Sequence, residues 1–558
     1  MKCIITVILF GYCHSYDLYQ FESCESQVYC QGKLLDFIQR FRSYNDSKTF
    51  VDMIQITSEA KIIENFDQLL QATSGSPSPY DLGNFMSKYF VSEGDLDNWL
   101  PPDFNANADF IRSINDVSIR DFAQAMINIW PTLGRKVRNI VIQYPNRHSS
   151  IYVPNGFIVP GGRFRETYYW DSYWIIKGLL ISGMTETARG MIENFLYLIA
   201  NYGYVPNGSR VYYLGRSQPP LLALMMGLYM DFTNDIHWLQ RYTDVLETEL
   251  LWWMNNRSIL VVKNGRKYVL SHYSVESGTP RPESYYEDYN TCSLYMSGDD
   301  QENCYSNLKS AAESGWDFST RWIFNQNGDF NISNVQPKRI VPVDLNSYLC
   351  RAFKELARFY KLLNKPERSK IWLDVSYMWQ DAIEQVLYND EDGIWYDYDI
   401  FMGASRPAFY PSNFAPLWTE SFRPIMRDSY GLRAARYLLS QGITQFPGGI
   451  PTSLIRSGQQ WDFPNCFPPL QETVILGLQK TRNVEASEVA TLLARRVIDS
   501  WMKGYSINQV MYEKYNAERP GEFGEGGEYQ VQSGFGWTNG VALSLINEFF
   551  TTDKFEDK

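Results

Sequence analysis

Apolar side chains recur at three- and four-residue spacing through most of the chain after about residue 165. This period is typical of helices that bury one face. It predicts helices over residues 185–203, 219–234, 244–256, 345–363, 369–390 and 486–504. The alternation of apolar and polar residues that is typical of strands is rare. Residues 396–400 are a weak example.

Long segments that contain glycine and proline separate these helices, over residues 203–220, 271–291, 403–416 and 446–470. Loops of this length inside a compact chain are usually functional. Paired helices joined by long loops indicate an all-α fold, a toroid of helical hairpins of the (α/α) barrel type. Since no low-complexity linker divides the chain, we predict one domain over residues 16–558.

The first fifteen residues have the pattern of a secretory signal peptide. One lysine precedes an apolar run from Ile4 to Cys13, and small residues stand at Cys13 and Ser15. The run is too short to span a membrane, and the C-terminal tail is charged, without an apolar anchor. We therefore expect cleavage near Ser15 and a secreted, soluble protein.

Cysteine and asparagine positions agree with export. Cys24 with Cys30 and Cys292 with Cys304 are the cysteine pairs closest in sequence, and some pairing is expected in an oxidising compartment. Spacing alone leaves the connectivity open. N-glycosylation sequons occur at Asn45, Asn207, Asn256 and Asn331.

Composition and motifs exclude several kinds of function. The net charge is −12, whereas proteins that bind nucleic acid normally carry a basic surface. The four histidines are scattered, without the spacing of a zinc site, and no nucleophile elbow is present. The glycine-rich run GEFGEGGEY lacks the lysine of a phosphate-binding loop, and its glutamates would repel phosphate. We expect neither cofactor nor metal.

The remaining chemistry lies in loops that combine aromatic rings, arginines and carboxylates, most densely in PGGRFRETYYWDSYW (Pro160–Trp174). Rings can cover the apolar faces of a sugar, while arginine, amide and carboxylate groups bind its hydroxyls. Two acids, one protonated and one ionised, can cleave a glycosidic bond. This combination predicts a glycoside hydrolase.

The motifs identify the resemblance more closely. PGGRFRETYYWDSYW resembles the first signature of the trehalases, glycoside hydrolase family 37, at every fixed position, and QWDFPNCFPP resembles the second signature imperfectly. Further matching blocks extend from about residue 160 to 541. The resemblance implies an (α/α)6 barrel that hydrolyses α,α-trehalose to two glucoses with inversion. It implies a small disaccharide as the substrate, and a secreted, soluble enzyme of animal type.

The resemblance also assigns residues. Asp317, in ESGWDF, corresponds to the general acid, and Glu513, in YEKYN, corresponds to the general base. Taken alone, either could instead be a helix cap or a salt-bridge acid. The expected sugar contacts are Arg163, Trp170, Asp171, Asn207, Arg216, Ser217, Gln218, Arg281, Glu283, Gly315 and Glu528. For Arg163 and Asp171 the alternative is an ion pair with each other, and Arg165 and Glu166 are interpreted as scaffold.

The chain departs from the family pattern at two places. Cys466 stands at a small position of the second signature, and Phe467 stands where the family has tryptophan, which removes an indole donor. Glu525 is one of the residues that interrupt a glycine run. It either adds negative charge near the catalytic acid and raises the pKa of that acid, or points to water and is screened.

Two other functions remain open from the sequence. The nearer is another inverting α-glucosidase on the same barrel, which a panel of substrates would separate from a trehalase. The more distant is a non-catalytic sugar-binding relative, which loss of Asp317 or Glu513 would indicate; both residues are present.

Overall fold

The computed structural model describes residues 24–324, 328 and 330–552. The predicted signal segment, residues 1–15, lies outside this part of the chain. The helices, numbered α1 to α19 in chain order, are Lys33–Arg40, Lys48–Val51, Glu59–Ala72, Pro79–Tyr89, Val117–Leu133, Asn139–Gln143, Asp171–Ile181, Thr185–Tyr202, Leu222–Thr233, Ile236–Arg257, Tyr285–Cys292, Gly298–Glu313, Val343–Leu362, Pro366–Ala382, Ala415–Thr419, Arg427–Ser440, Pro468–Lys480, Val484–Asn508 and Gly536–Phe549.

The helices form a double-layered toroid. Within the described residues, α7, α9, α13, α15, α17 and α19 contact one another in this order, and α19 contacts α7 again, which closes an inner ring. A second layer of helices packs outside this ring, and each of them contacts at least one inner helix. These outer helices are α8, α10, α14, α16, α18 and α5. The (α/α)6 barrel expected from the sequence is confirmed.

The inner helices are buried on almost every side. All residues of α7 except Lys177 are buried, and α17 is buried from Pro468 to Leu478. A helix that is covered all round is apolar all round and shows little periodicity. The outer helices keep a polar face, and periodicity predicted α8, α10, α14 and α18 among them. It also predicted the inner helices α9 and α13, over residues 219–234 and 345–363, whereas the inner helices α7, α15, α17 and α19 were not predicted.

Strands are short and antiparallel. Numbered β1 to β14 in chain order, they are Ile54–Gln55, Phe90–Val91, Leu96–Asn98, Gly134–Val137, Phe157–Ile158, Ser258–Lys263, Arg266–Ser271, Ile340–Val341, Tyr388–Asn389, Ile394–Trp395, Tyr398–Asp399, Ala404–Ser405, Asn465–Cys466 and Tyr515–Asn516. Strand β11 lies inside the weak case predicted at 396–400. Hairpin β6–β7 was not predicted, although its two-residue Asn264-Gly265 turn is a strong hairpin signal.

A second apolar cluster lies beside the barrel. It is formed mainly by residues of α1 to α4, and it also includes Tyr168, Tyr212 and Tyr213 from the segments that border α7 and α9. Both disulfide pairs suggested by the sequence are present, Cys24–Cys30 and Cys292–Cys304. No helix in the described part of the chain is long and apolar enough to cross a membrane.

Candidate active site

A cavity opens at the end of the barrel where α7 and α19 begin, because Asp171 and Trp537, in the first turns of these helices, both line it. It contains about 650 Å³ of empty space, its open mouth included. The expected site residues that line it are Arg163, Trp170, Asp171, Asn207, Arg216, Gln218, Arg281, Glu283, Gly315, Asp317, Glu513 and Glu528.

Ser217 is the expected site residue that the structure does not bring to the cavity. It is fully buried, its hydroxyl donates to the carbonyl of Val205 at 2.6 Å, and its N–H donates to Oε1 of Glu313 at 2.9 Å. Both contacts hold the loop between α8 and α9. A contact of Ser217 with sugar therefore stays a prediction from the resemblance.

Asp317 lies in the loop that follows α12. Its side chain is 30% exposed, and Nη1 of Arg281 lies 3.6 Å from its Oδ2. Burial beneath the surrounding loops raises the pKa of the Asp317 carboxyl to about 6, and the Arg281 guanidinium opposes this shift. Nε2 of Gln460 donates to the Asp317 carbonyl at 2.6 Å, which fixes the backbone beside the carboxyl group.

Glu513 lies two residues before β14 and is buried. The hydroxyl of Tyr529 donates to Oε1 at 2.7 Å, and the N–H of Gln532 lies 3.4 Å from Oε2. Burial raises the pKa of Glu513, whereas Lys514, Tyr529 and Gln532 favour its ionised form. The indole of Trp537 donates to the Glu513 carbonyl at 3.0 Å, so the backbone is held from α19.

Asp171, the first residue of α7, is a third acid in the cavity. Burial raises its pKa to about 8, and the negative charges of Glu513 and Asp317 act in the same direction. A carboxyl group with this pKa holds a proton at neutral pH. A protonated carboxyl group can donate one hydrogen bond and accept others.

Arg163 and Asp171 do not pair with each other, which was the alternative for these two residues. The Arg163 guanidinium instead holds Asp46 of the segment between α1 and α2, with Nε and Nη2 at 2.8 and 2.7 Å from its two oxygens. It also lies over the Tyr529 ring, 4.8 Å from the centroid. Of the two residues interpreted as scaffold, Glu166 is buried against Lys48 and Arg165 is exposed.

Arg216 and Glu283 form a second pair in the cavity wall. Nη2 of Arg216 lies 2.7 Å from Oε1 of Glu283, and its Nε donates to Oδ1 of Asn207 at 2.8 Å. Burial would raise the pKa of Glu283, but Arg216 and Arg281 outweigh it, so the pKa lies below its ordinary range. Nη1 of Arg216 and Oε2 of Glu283 have no hydrogen-bond partner within the described residues. Buried polar atoms normally have a hydrogen-bond partner, so these two retain unused hydrogen-bonding capacity in the cavity wall.

Arg281 joins three acids. It forms a buried bidentate pair with Asp288, with distances of 2.9 and 2.7 Å, and Nη2 also lies 3.1 Å from Oε1 of Glu528. Its third contact is with Asp317, as described above. The arginine therefore links the candidate acid to Glu528 of the terminal loop, which we define as residues 517–535.

Glycine is required where loops meet the cavity wall. Gly315 has φ 76°, and a Cβ there would lie 2.8 Å from the Trp170 ring, so the ring packs directly against the backbone before Asp317. In the Pro-Gly-Gly turn, a Cβ on Gly161 would lie 2.3 Å from the carbonyl oxygen of Gly534. The turn therefore lies close to the terminal loop.

Several aromatic walls of the cavity were not predicted as site residues. Trp461 lies in the segment QWDFPNCFPP that resembles the second signature, and Tyr529 lies in the glycine-rich run GEFGEGGEY. Phe467, at the departure from the second signature, is fully buried and stacks on Trp461, with centroids 3.6 Å apart and planes 4° apart. It therefore affects the cavity through Trp461. The lining residues missed by the sequence analysis are Phe164, Tyr168, Tyr213, Ser284, Ala312, Trp461, Tyr529, Phe535 and Trp537.

The cavity lining contains carboxylates, arginines, amides and rings, without histidine or cysteine. In the described part of the chain, no group of three or more His, Cys, Asp or Glu side chains could hold a metal ion. The groups that are present can exchange protons and bind hydroxyls. Acid–base chemistry on a polyhydroxyl ligand is what this arrangement allows.

Comparison with known proteins agrees with this chemistry. The trehalase family model matches residues 42–550. The chain is 50% identical to a trehalase of Tenebrio molitor over 532 residues, which cover 95% of this chain and 96% of that protein. It is 42% identical to a trehalase of Homo sapiens over 528 residues, or 94% and 90% of the two chains. The solved neutral trehalase of Saccharomyces cerevisiae shares the fold, with a TM-score of 0.57 at 24% identity over 71% of this chain and 74% of that one. The chain belongs to the trehalase family.

Proposed function

We propose that the protein hydrolyses α,α-trehalose to two glucose molecules with inversion at one anomeric carbon. The observation that carries this proposal is one cavity in which a carboxyl group with a pKa of about 6, Asp317, lies with a second buried acid, Glu513. The family membership supplies the substrate. No residue in the mechanism requires a cofactor.

Asp317 serves as the general acid. Its raised pKa keeps the proton on the carboxyl group in mildly acidic solution, and the proton passes to the oxygen that bridges the two sugars as the glycosidic bond breaks. The leaving glucose takes the bonding electron pair and the proton. It departs with its α configuration unchanged.

Glu513 serves as the general base. It takes a proton from a water molecule as the oxygen of that water bonds to the anomeric carbon on the face opposite the leaving group. The Tyr529 hydroxyl and the Gln532 N–H favour the ionised form that this step needs. Attack from the opposite face gives β-glucose. An inverting pair of carboxyl groups should be about 6.5–9.5 Å apart to admit the water.

The remaining cavity residues bind and orient the two glucoses. Trp170 and Trp461 offer apolar faces for the sugar rings. Arg163 holds Asp46 through Nε and Nη2 and offers the remaining N–H donors of its guanidinium. The unpaired Nη1 of Arg216 and Oε2 of Glu283 offer one donor and one acceptor to hydroxyls. These assignments rest on the resemblance and on the position of the side chains in the cavity wall.

A substrate panel tests the function. Glucose release should be rapid from trehalose and slow or absent from maltose and sucrose. Equal release from maltose would favour the alternative, a broader inverting α-glucosidase. Binding of trehalose without release of glucose would favour a non-catalytic relative.

Export and glycosylation belong to the same proposal. The two disulfides fit an oxidising compartment, and the pattern of residues 1–15 supports a cleaved signal. Sequencing of the N-terminus of the exported protein tests cleavage near Ser15. A retained Met1 on the exported protein would contradict it.

A further inference from the structure

Lys514 follows the candidate base, Glu513, in the sequence. It is buried, and the mechanism above gives it no role. It is fully buried, and its Nζ donates to the backbone carbonyls of Gly526 at 3.1 Å and Glu525 at 3.3 Å. An ammonium group in such a place loses much of its hydration, so it is retained only where polar atoms surround it. These polar atoms belong to the terminal loop.

A second side chain holds the same stretch of backbone. Asn465 of β13 donates to the Glu525 carbonyl at 2.7 Å and accepts from the Glu525 N–H at 2.7 Å. The N–H of Gly524 donates to the Lys514 carbonyl at 3.0 Å. The loop is therefore fastened to the β13–β14 pair along Gly524 to Gly526.

The chain turns into the cavity directly after this attachment. Gly526 and Gly527 have φ of 73° and 100°, and a Cβ on Gly527 would lie 2.8 Å from Gln460. The next two residues are Glu528, which binds Arg281, and Tyr529, which donates to Glu513. The position of both side chains thus depends on where the backbone is held two residues earlier.

The charge of Lys514 also acts on the base. Its ammonium is the largest influence that favours the ionised form of Glu513 against burial. The other groups that face Glu513 are Arg163 before α7, Asp171 at the start of α7 and Tyr529 in the terminal loop, and Asp317 lines the same cavity. Burial lowers the pKa of Lys514 to about 8, so it is charged in neutral and acidic solution.

We infer that Lys514 is a positioning residue for the hydrolysis: it fastens the terminal loop beside β14, so that Glu528 and Tyr529 reach the cavity, and its charge favours the ionised form of Glu513. The inference rests on the proposed function. The role is assigned to Lys514, on the buried face of the terminal loop, and not to the separate cation on its exposed face, Arg456. Arg456 is half exposed and pairs with Glu525 at 3.0 Å and Glu518 at 2.6 Å.

The test compares Lys514→Met, Lys514→Arg and the matched control Arg456→Met, each measured for kcat, KM and the pH profile of kcat/KM. Lys514→Met should lower kcat/KM by about tenfold or more, because displaced catalytic groups lose rate steeply. It should move the acid limb to higher pH by roughly one unit, since the base loses a nearby positive charge. Lys514→Arg retains the charge and should keep the limb near that of the wild type, even if kcat falls.

Hydrogen exchange of residues 517–535 supplies a readout that needs no activity. Exchange there should become faster in Lys514→Met and stay unchanged in Arg456→Met, since an exposed ion pair contributes little. If wild-type protein releases no glucose from trehalose, the proposed function fails, yet the exchange comparison still tests the loop attachment. If Lys514→Met does not fold, a shifted acid limb in Lys514→Arg contradicts the inference. Wild-type exchange and an unmoved acid limb in Lys514→Met would overturn it, as would an equal loss of kcat/KM in Arg456→Met.

Discussion

Asp171, Asp317 and Glu513 line one cavity but differ in the groups that balance their charges. Asp171 accepts from its own backbone N–H and has a pKa of about 8, whereas Asp317 has Arg281 3.6 Å away and a pKa of about 6. Glu513 accepts from Tyr529 and lies beside Lys514. Environments that separate pKa values separate the roles of acid and base.

Amide substitutions should distinguish the proposed acid and base, Asp317 and Glu513, from Asp171. Asp317→Asn and Glu513→Gln should each fold but lose about 10²-fold or more in kcat, the usual scale for a general acid or base. Asp171→Asn keeps a group that can donate and accept, so it should change KM more than kcat. Steady-state kinetics, with circular dichroism to verify folding, checks this. Near-wild-type kcat in Asp317→Asn or Glu513→Gln would remove that residue from its role.

The pH dependence follows from the raised pKa of Asp317. Burial places this pKa above the ordinary aspartate range, so the acid stays protonated up to about pH 6 and loses its proton above that value. Activity that needs the protonated form should therefore decline above about pH 6, by about tenfold per pH unit in kcat/KM. Measurement from about pH 4 to about pH 9 checks this. A flat alkaline side would contradict the assignment.

At the scale of elements, the loops of the barrel position most of the cavity side chains. The last of these loops, the terminal loop, is attached to the β13–β14 pair. Glu525, which could have added charge near the acid, instead pairs on the surface with Arg456 at 3.0 Å and Arg519 at 3.8 Å. The structure thus favours the screened alternative for Glu525. Its backbone, not its carboxylate, connects it with the site.

The position of Asn207, in the loop between α8 and α9, predicts that this sequon is not glycosylated. Asn207 carries a sequon but is 4% exposed and accepts from Nε of Arg216 at 2.8 Å. A glycan would remove this contact and fill the cavity, so Asn207 should be unmodified in active enzyme, whereas the exposed Asn45 is free to accept one. Peptide mass spectrometry measures the occupancy of both. High occupancy at Asn207 in active protein would refute its place in the site.

At the scale of the whole molecule, the N-terminal helices contribute to a cavity that the barrel otherwise builds. Their apolar cluster includes Tyr168 and Tyr213, which line the cavity from its outer side. Asp46 reaches Arg163 from this unit across 117 residues of sequence. The unit therefore fixes the orientation of one predicted sugar-binding arginine.

Removal of this link should weaken substrate binding. Asp46→Asn frees the Arg163 guanidinium from its bidentate partner, and we expect KM to rise by about tenfold, the cost of one charge-assisted contact, with a smaller change in kcat. Asp67→Asn, at an exposed acid of α3, is the matched control and should leave KM unchanged. Equal KM values for Asp46→Asn and wild type would show that Arg163 holds its position without Asp46.

The sequence predicted different parts of this molecule for different physical reasons. Outer helices such as α8 and α18 have a polar face, so their period is visible. Inner helices α17 and α19 are buried nearly all round, so their sequences show no clear helical period. The lining residues that were predicted, such as Asp317 and Glu513, were found because they lie in segments that resemble a known family. Asp46 belongs to no such motif, and only the folded chain brings it to Arg163.

Proton NMR of the first products from trehalose tests the central claim most directly. If Glu513 activates water on the face opposite the leaving group and Asp317 protonates the bridging oxygen, each cleaved trehalose gives one β-glucose and one α-glucose before mutarotation. Two α-glucoses per trehalose would mean retention through a covalent intermediate. That result would contradict the proposed roles of Asp317 and Glu513 together.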